Sequence, residues 1–375
     1  MKTPTRVQDR HGFDVLIDAR SPAEFAIDHI PGAINCPVLD DDERRIVGTI
    51  YKQQGAFEAR RVGGGMVASN LGRHLREQFA DKPASWKPLV YCWRGGLRSG
   101  SMVQWMRLVG WDAQQLAGGY KSWRRHVIDT IDERSPQLPF VVICGATGSA
   151  KTRVLHALAD QGHQTLDLEG LARHKGSLLG AMPGVPQPSQ TAFETAIAAA
   201  LEAVDPSRPL YVEGESRRIG RLNVPPSLVG RMRGSPVLEI QSPITARVDY
   251  LLRDYAYLGD EPAQLAGQLG MLVKLHGKET IAAWQALAMA GELPALFDQL
   301  ATRHYDPAYH RSQRAHFSGW ENRIGLEAPD LSDTGIARVT ELVANTSVSA
   351  IRAADVPVAN QGTSGFEAVV GAVAD

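Results

Sequence analysis

The sequence is short of several things, and each shortage narrows what the protein can be. Only three cysteines occur in 375 residues, Cys36, Cys92 and Cys144. Their spacing matches no zinc site and is too sparse for a disulfide framework, which fits a reducing compartment. Net charge is almost absent: 40 Lys and Arg stand against 41 Asp and Glu. A chain so balanced does not bind nucleic acid through bulk charge, so any such site must be a local basic patch. No apolar run reaches membrane-spanning length, no N-terminal stretch resembles a signal peptide, and no internal repeat is evident. The expectation is a cytoplasmic protein with no membrane partner and no structural metal. What remains, 43% hydrophobic and 22% charged residues, is ordinary for a globular chain of two or three domains.

The chemistry-bearing residues lie in a few stretches. Tyr91-Cys92-Trp93-Arg94-Gly95-Gly96-Leu97-Arg98-Ser99-Gly100 reads as a strand end, a tight loop and the first turn of a helix. Amides between these elements, with the positive end of the helix dipole, would enclose an anion; Gly95 and Gly96 supply the permissive backbone and Arg94 and Arg98 add charge. Cys92 at the loop entrance is expected to act as a nucleophile near neutral pH. A lone cysteine at a strand end is usually inert core, but two flanking arginines and two glycines argue otherwise.

This loop is similar to the active-site loop of the rhodanese (sulfurtransferase) family. Asp14 to Phe25 and His29 to Asn35 resemble the first half of that domain, and Leu116-Ala117-Gly118-Gly119-Tyr120 its closing segment. Tyrosine phosphatases also set a Cys and an Arg around an anion, but the upstream segments favour the rhodanese. Between the halves, the stretch from Asp40 to Val67 is longer than a rhodanese requires and reads as a charged surface helix and a flexible loop.

The polar, proline-containing segment from Asp129 to Pro139 is of the kind that joins domains. Domains are therefore expected at 1–130 and 136–345, with a loose tail at 346–375. Phe140 to Cys144 reads as a buried strand, Gly145-Ala146-Thr147-Gly148-Ser149-Ala150-Lys151-Thr152 as a glycine loop, and the residues after it as an amphipathic helix. That is the context of a P-loop. Gly145, Thr147 and Gly148 would cradle phosphate oxygens, Lys151 would reach the outer phosphate, and Thr152 could hold Mg²⁺. Ala150 stands where such loops usually have glycine, at a cost on the order of 1 kcal/mol if the backbone is left-handed there. This argues against ordinary NTP hydrolysis.

Farther on, Asp167-Leu168-Glu169-Gly170-Leu171-Ala172 continues a strand into a helix. In Glu213-Gly214-Glu215 the two acids would face the same way on a continued strand. Glu213 is a candidate for an Mg²⁺-linked acid or, equally, a buried glutamate paired with an arginine. Arg217, Arg218 and Arg221 follow in the connection. Val237 to Ile240 is a further strand, and the region to about residue 345 reads as helical; its basic and aromatic segment from Arg303 to Arg311 is most simply a solvated helix face.

Taken in order, Asp41-Asp42-Glu43-Arg44, Val47-Gly48-Thr49, Tyr51-Lys52-Gln53, the Cys92 loop, Asp167 to Ala172 and Gly214 to Gly220 closely resemble the bacterial tRNA 2-selenouridine synthase family. The resemblance implies an α/β chain: an N-terminal rhodanese-like domain, then a C-terminal P-loop NTPase-like α/β domain with a helical C-terminal part. It implies a transferase that replaces sulfur by selenium in 2-thiouridine at the tRNA wobble position. Selenophosphate would be the donor, and an S-geranylated intermediate would be made from geranyl diphosphate. Cys92 would carry a perselenide or help displace the activated group from C2 of the base. Arginines such as Arg217, Arg218 and Arg221 would hold tRNA phosphates, an enzyme supplying selenophosphate would be a partner, and Mg²⁺ remains a candidate cofactor. Two other readings compete: an ATP-dependent sulfurtransferase acting on a small molecule, and a non-catalytic, nucleotide-gated RNA-binding module.

Overall fold

The computed structural model describes residues 5–346, so the segment read as a tail lies outside the described residues from 347 onward. The chain forms two compact units, Met1–Asp132 with Pro188–Glu202, and Glu133–Gln187 with Ala203–Asp375.

In the first unit, β1 (Val15–Asp18), β2 (Ile34–Asn35), β3 (Pro88–Tyr91) and β4 (Gln114–Gln115) make a parallel sheet in the order β2-β1-β3-β4. Every residue of β3 is buried, as expected for a central strand covered on both faces. Around it Ile17 and Val90 pack with Leu71, Met102, Met106 and the ring cluster of Phe79, Trp86 and Trp111.

After Asp40 the expected charged helix is present, but the expected flexible loop is a second helix. The first is Asp41–Gln54, followed by the second of 22 residues, Ala56–Glu77, that runs through Gly63, Gly64 and Gly65. Glycine costs helix stability, yet a Cβ at Gly63 would lie 3.1 Å from Val47, so tertiary packing between the two helices overrides propensity. The expected linker is also mostly helix: Gly119–Arg134 continues through it because Trp123, Val127 and Ile131 bury one face at i, i+4 and i+8.

One helix expected in the 136–345 domain, Gln190–Glu202, belongs instead to the first unit. There Glu194 pairs with Arg124, Thr195 donates to the buried carboxylate of Asp28 at 3.0 Å, and Glu202 meets Arg10 and His126.

In the second unit, β5 (Phe140–Gly145), β6 (Gln164–Leu166) and β7 (Leu210–Glu213) precede a small antiparallel hairpin of β8 (Arg218–Ile219) and β9 (Leu222–Asn223), after which come β10 (Val237–Gln241) and β11 (Ile324–Glu327). The five longer strands form a parallel sheet in the order β11-β10-β5-β7-β6. β11 corrects the all-helical reading of this region: Ile324-Gly325-Leu326-Glu327 is too short and too weakly apolar to announce itself, and what makes it a strand is its pairing with β10 at the sheet edge, with Leu326 buried.

Successive strands lie to one side of β5 and then to the other, so the carboxyl end of β5 is a topological switch point, where open parallel sheets bind ligands. The helix after it, Lys151–Asp160, buries Val154, Leu155 and Leu158 against the sheet. Each such side chain contributes about 1.5–3 kcal/mol by burial. The helical remainder is centred on the fully buried Trp284 and includes a π-helical turn, Ala301–Tyr305, leading into helix Asp306–His316. Among the described residues no helix is long and apolar enough to cross a membrane.

Two candidate anion sites

The first site is built at the end of β3. Cys92 follows the strand, Gly95 turns the chain with φ of 66°, and Gly96 is the N-cap of helix Leu97–Val109. The amides of that first turn have no intrahelical partners and are available to an anion. The segment predicted to close the loop does so through the backbone: Tyr120 N donates to Cys92 O at 2.8 Å and Lys121 N to Trp93 O at 3.0 Å. Gly119 is required there, since a Cβ would sit 2.2 Å from Cys92 O. Asp18 at the end of β1 and Arg20 just after it hold the surroundings. Arg20 is buried, bonds Asp18 at 2.6 Å and lies 3.9 Å over the ring of Tyr120.

The Cys92 thiol is buried and accepts a hydrogen bond from Ser99 Oγ at 3.0 Å. Gln115 Nε2 in turn donates to Ser99 Oγ at 2.8 Å and to Gly96 O at 3.0 Å. Neither Ser99 nor Gln115 stood out in the sequence, because their role comes from helix phase and from β4 lying beside β3. Arg94 is exposed. Arg98 does not direct its charge at the thiol as expected: its guanidinium binds both oxygens of Glu24, at 2.5 and 3.2 Å. Burial alone would raise the Glu24 carboxyl, but the Arg98 hydrogen bond and charge hold it below the ordinary glutamate range. The other two cysteines are core: burial pushes Cys36 and Cys144 up to about 12, so neither offers a thiolate.

The second site is the loop between β5 and helix Lys151–Asp160. Gly145 ends the strand, Gly148 has φ of 83°, and Ala150 is left-handed with φ 57° and ψ 26°. The strain anticipated for alanine is therefore present. Its methyl is buried among Ile143, Val154 and their neighbours, which offsets part of the cost. Lys151 Nζ donates to Gly145 O at 2.9 Å, spanning the loop. Thr147 O accepts from Arg247 Nη1 at 3.1 Å, and Asp306 holds the same guanidinium through bonds of 2.8 and 2.7 Å. The helical part thus braces the loop from behind.

Thr152 Oγ1 donates to Glu169 at 3.0 Å, and carboxylate oxygens of Glu169, Glu213 and Glu215 lie within 4.8 Å of one another. β7 stops at Glu213, short of the continued strand expected. A turn with Glu215 N donating to Glu213 O at 2.8 Å brings the second acid back beside the first. Glu213 is fully buried and neither of its carboxylate oxygens has a partner, so the arginine-paired alternative does not hold. Burial, then the neighbouring Glu169, pushes Glu213 well above the usual carboxylate range, and burial followed by Glu215 moves Glu169 up to about 8. Burial raises Glu215 as well. A hydroxyl and three carboxylates at this spacing are hard oxygen donors fit for a divalent cation such as Mg²⁺. Glu169 was missed because its partners lie far off in sequence.

Two cavities flank the loop. Thr147 lines an apolar one with Leu179, Leu251, Tyr255, Phe297 and Leu300, and Ala146 lines a polar one on the β10 side. The three arginines singled out from sequence are exposed, on and around the β8–β9 hairpin. Arg218 Nε donates to Gly220 O at 2.9 Å, and Arg221 Nη2 to Gln187 O at 2.6 Å.

A thiol cradle in one parallel α/β unit and a lysine-bearing phosphate loop in another define a rhodanese-like domain joined to a P-loop domain. Residues 3–126 match the family model for the rhodanese-like domain, and residues 138–271 the model described as the tRNA 2-selenouridine synthase AAA domain. Proteins named tRNA 2-selenouridine synthase are similar along much of the chain. That of Nitrosomonas europaea is 42% identical, covering 64% of this chain and 63% of its own length. That of Shewanella piezotolerans is 36% identical, covering 74% of each, and that of Serratia proteamaculans 34% identical, covering 81% of this chain and 89% of its own. The chain belongs to the tRNA 2-selenouridine synthase family. It spans less than two thirds of the length of the relatives from Nitrosomonas europaea and, at 64%, Bdellovibrio bacteriovorus.

Proposed function

We propose that this protein is a tRNA-modifying transferase that replaces sulfur by selenium in wobble-position 2-thiouridine, with selenophosphate as donor and an S-geranylated intermediate made from geranyl diphosphate. The observation that carries this reading is the presence on one chain of two anion sites with complementary equipment. One offers a thiol beside helix amides, and the other a lysine, a glutamate cluster and an adjoining apolar cavity.

The second site serves the alkylation. Amides of the Gly145 to Thr152 loop and Lys151 take the diphosphate, and the apolar cavity that begins at Thr147, about 20 Å³ as it stands, would have to open along Leu251, Phe297 and Leu300 to receive the alkyl chain. Thr152, Glu169, Glu213 and Glu215 would hold Mg²⁺, which when bound supplies positive charge to a leaving diphosphate. The base sulfur displaces the diphosphate, and Lys151 follows the charge onto the leaving group. The first site serves the exchange. Amides after Cys92 hold the phosphate group of selenophosphate, selenium attacks C2, Cys92 assists departure of the geranylthiolate, and water then cleaves the P–Se bond, releasing phosphate and leaving selenium on C2. Anticodon uridines lie in a single-stranded loop, and the exposed Arg217, Arg218 and Arg221 hold its phosphates. The chemistry requires an enzyme that supplies selenophosphate.

Mass spectrometry of nucleosides tests this. tRNA incubated with the full chain, selenophosphate and geranyl diphosphate should yield 2-selenouridine, and S-geranyl-2-thiouridine when selenophosphate is withheld. Unmodified tRNA together with tight, Mg²⁺-dependent ATP binding would instead support an ATP-dependent transferase.

A further inference from the structure

The polar cavity beside the phosphate loop is not used by the alkyl donor or by the thiol. It has a volume of about 270 Å³ and is lined by Ala146 of the loop, by Glu239, Gln241 and Ser242 at the end of β10, and by Arg247 and Arg323. Its position follows from strand register. Ile240 pairs with Gly145, so Gln241 and Ser242 emerge alongside Ala146 at the switch point of the sheet.

The charges of this cavity cancel. Arg323 Nε binds Glu239 at 2.7 Å, and Arg247 binds Asp306 through two bonds. A site with each arginine matched to a carboxylate offers no net attraction for a phosphate or carboxylate, and its polar lining does not suit an alkyl chain. What it does offer is uncommitted hydrogen-bonding capacity. Ser242 Oγ and Arg247 Nε are buried with no partner among the described residues. The Gln241 amide donates through Nε2 to Glu239 at 3.0 Å, which turns its oxygen into an open acceptor. Buried polar atoms without partners are costly and mark places where a ligand completes the bonding.

We propose that this cavity receives a uracil-type base turned out of the RNA, with Gln241 accepting from the ring N–H and Ser242 donating to a ring carbonyl. A neutral, flat group with alternating donors and acceptors matches the neutral, mixed lining, and the volume suits one nucleoside-sized group rather than a longer segment. The base of a nucleotide bound on the same loop has the same chemistry. The RNA base is the source consistent with the function proposed above, and the ATP affinity of the variants described below separates the two. Ala146 and Thr147 are consecutive, so base and alkyl chain would approach the loop from its two sides, with the reacting atoms between them. The proposal rests on the function proposed above and specifies where the acceptor is read.

The test compares an anticodon stem-loop RNA carrying 2-thiouridine at the wobble position with the same hairpin abasic there, bound to the full chain and to Gln241→Leu and Ser242→Ala. Ser242→Ala removes a hydroxyl that has no partner, so it leaves the fold intact. Wild type should prefer the base-bearing hairpin by roughly tenfold, the equivalent of one or two hydrogen bonds. Each variant should lose most of that preference, with affinity for the abasic hairpin and for geranyl diphosphate unchanged. Equal binding of both hairpins by wild type, or a preference that survives in both variants, overturns the proposal. So does loss of ATP affinity in the variants with hairpin preference retained. Should tRNA come back unmodified while the preference still depends on Gln241, the functional reading fails and the base pocket stands. Modified tRNA with a preference indifferent to Gln241 means the reverse.

Discussion

At the Cys92 loop the carboxylate of Glu24 is held ionised by Arg98, whereas at the Gly145 to Thr152 loop three glutamates crowd together and Lys151 turns to a backbone carbonyl. Both loops have the same architecture, a buried parallel strand, a glycine turn and a helix start, so backbone amides alone would make both anion sites. The side chains separate them. In the first site the Arg98 guanidinium is matched, and amides, a serine, a thiol and the exposed Arg94 are left to meet a substrate. The second is open, with unpaired carboxylate oxygens that call for a cation and a lysine whose natural partner is a phosphate.

The largest effect should come from Cys92→Ala. Selenium incorporation falls by roughly a thousandfold or more, as for loss of a group that acts on the reacting atoms, while geranyl diphosphate affinity is unchanged. Wild-type incorporation in the variant would remove the thiol from the comparison. Lys151→Ala acts on the other loop only. Calorimetry should show geranyl diphosphate binding weakened about ten- to a hundredfold, with alkylation of the Cys92 thiol by iodoacetamide proceeding as in the parent.

Glu213→Gln sharpens the contrast in stability. Replacing an unpartnered buried carboxylate by a neutral amide should raise the melting temperature in chelator and abolish the extra stabilisation that Mg²⁺ with inorganic diphosphate confers on the parent. A melting temperature that still responds to Mg²⁺ would place the cation elsewhere.

The Glu24–Arg98 pair predicts a pH dependence of defined sign. A carboxyl held below its unfolded value contributes stability that is present above the ordinary glutamate range and is lost as pH falls through the lower, folded value. Denaturant melts across the acid limb should therefore lose part of their slope in Glu24→Gln; an unchanged limb would mean that the pair contributes nothing. Ala150→Gly should do least. Relief of left-handed strain, about 1–2 kcal/mol, is opposed by a lost buried methyl of about 0.8 kcal/mol and by glycine's unfolded-state entropy. Stability should stay within about 1 kcal/mol, and a larger change would show that one of these terms has been misjudged.

Local order in the sequence was enough to mark both loops, because strand, turn and helix start are encoded by adjacent residues. The same holds for the α/β character of both units, for the family, and for Glu213 as an acid of interest. Ala150 could be singled out from sequence alone, since only the backbone angle was missing. Tertiary structure decided whatever depends on residues distant along the chain. Arg98 meets Glu24 across 74 positions, Thr152 reaches Glu169 across 17, and Arg247 is held by Asp306 across 59. No local pattern announces such partners. Packing overruled local propensity at Gly63, which is helical against Val47, and at Ile324–Glu327, a strand by virtue of its neighbour β10. Helix Gln190–Glu202 belongs to the first unit because Asp28 and Arg124 receive it, a choice its alanine-rich sequence does not express. The polar cavity beside Ala146 exists only because strand register brings the end of β10 to the phosphate loop, and register is fixed by burial across the sheet rather than by any residue within it.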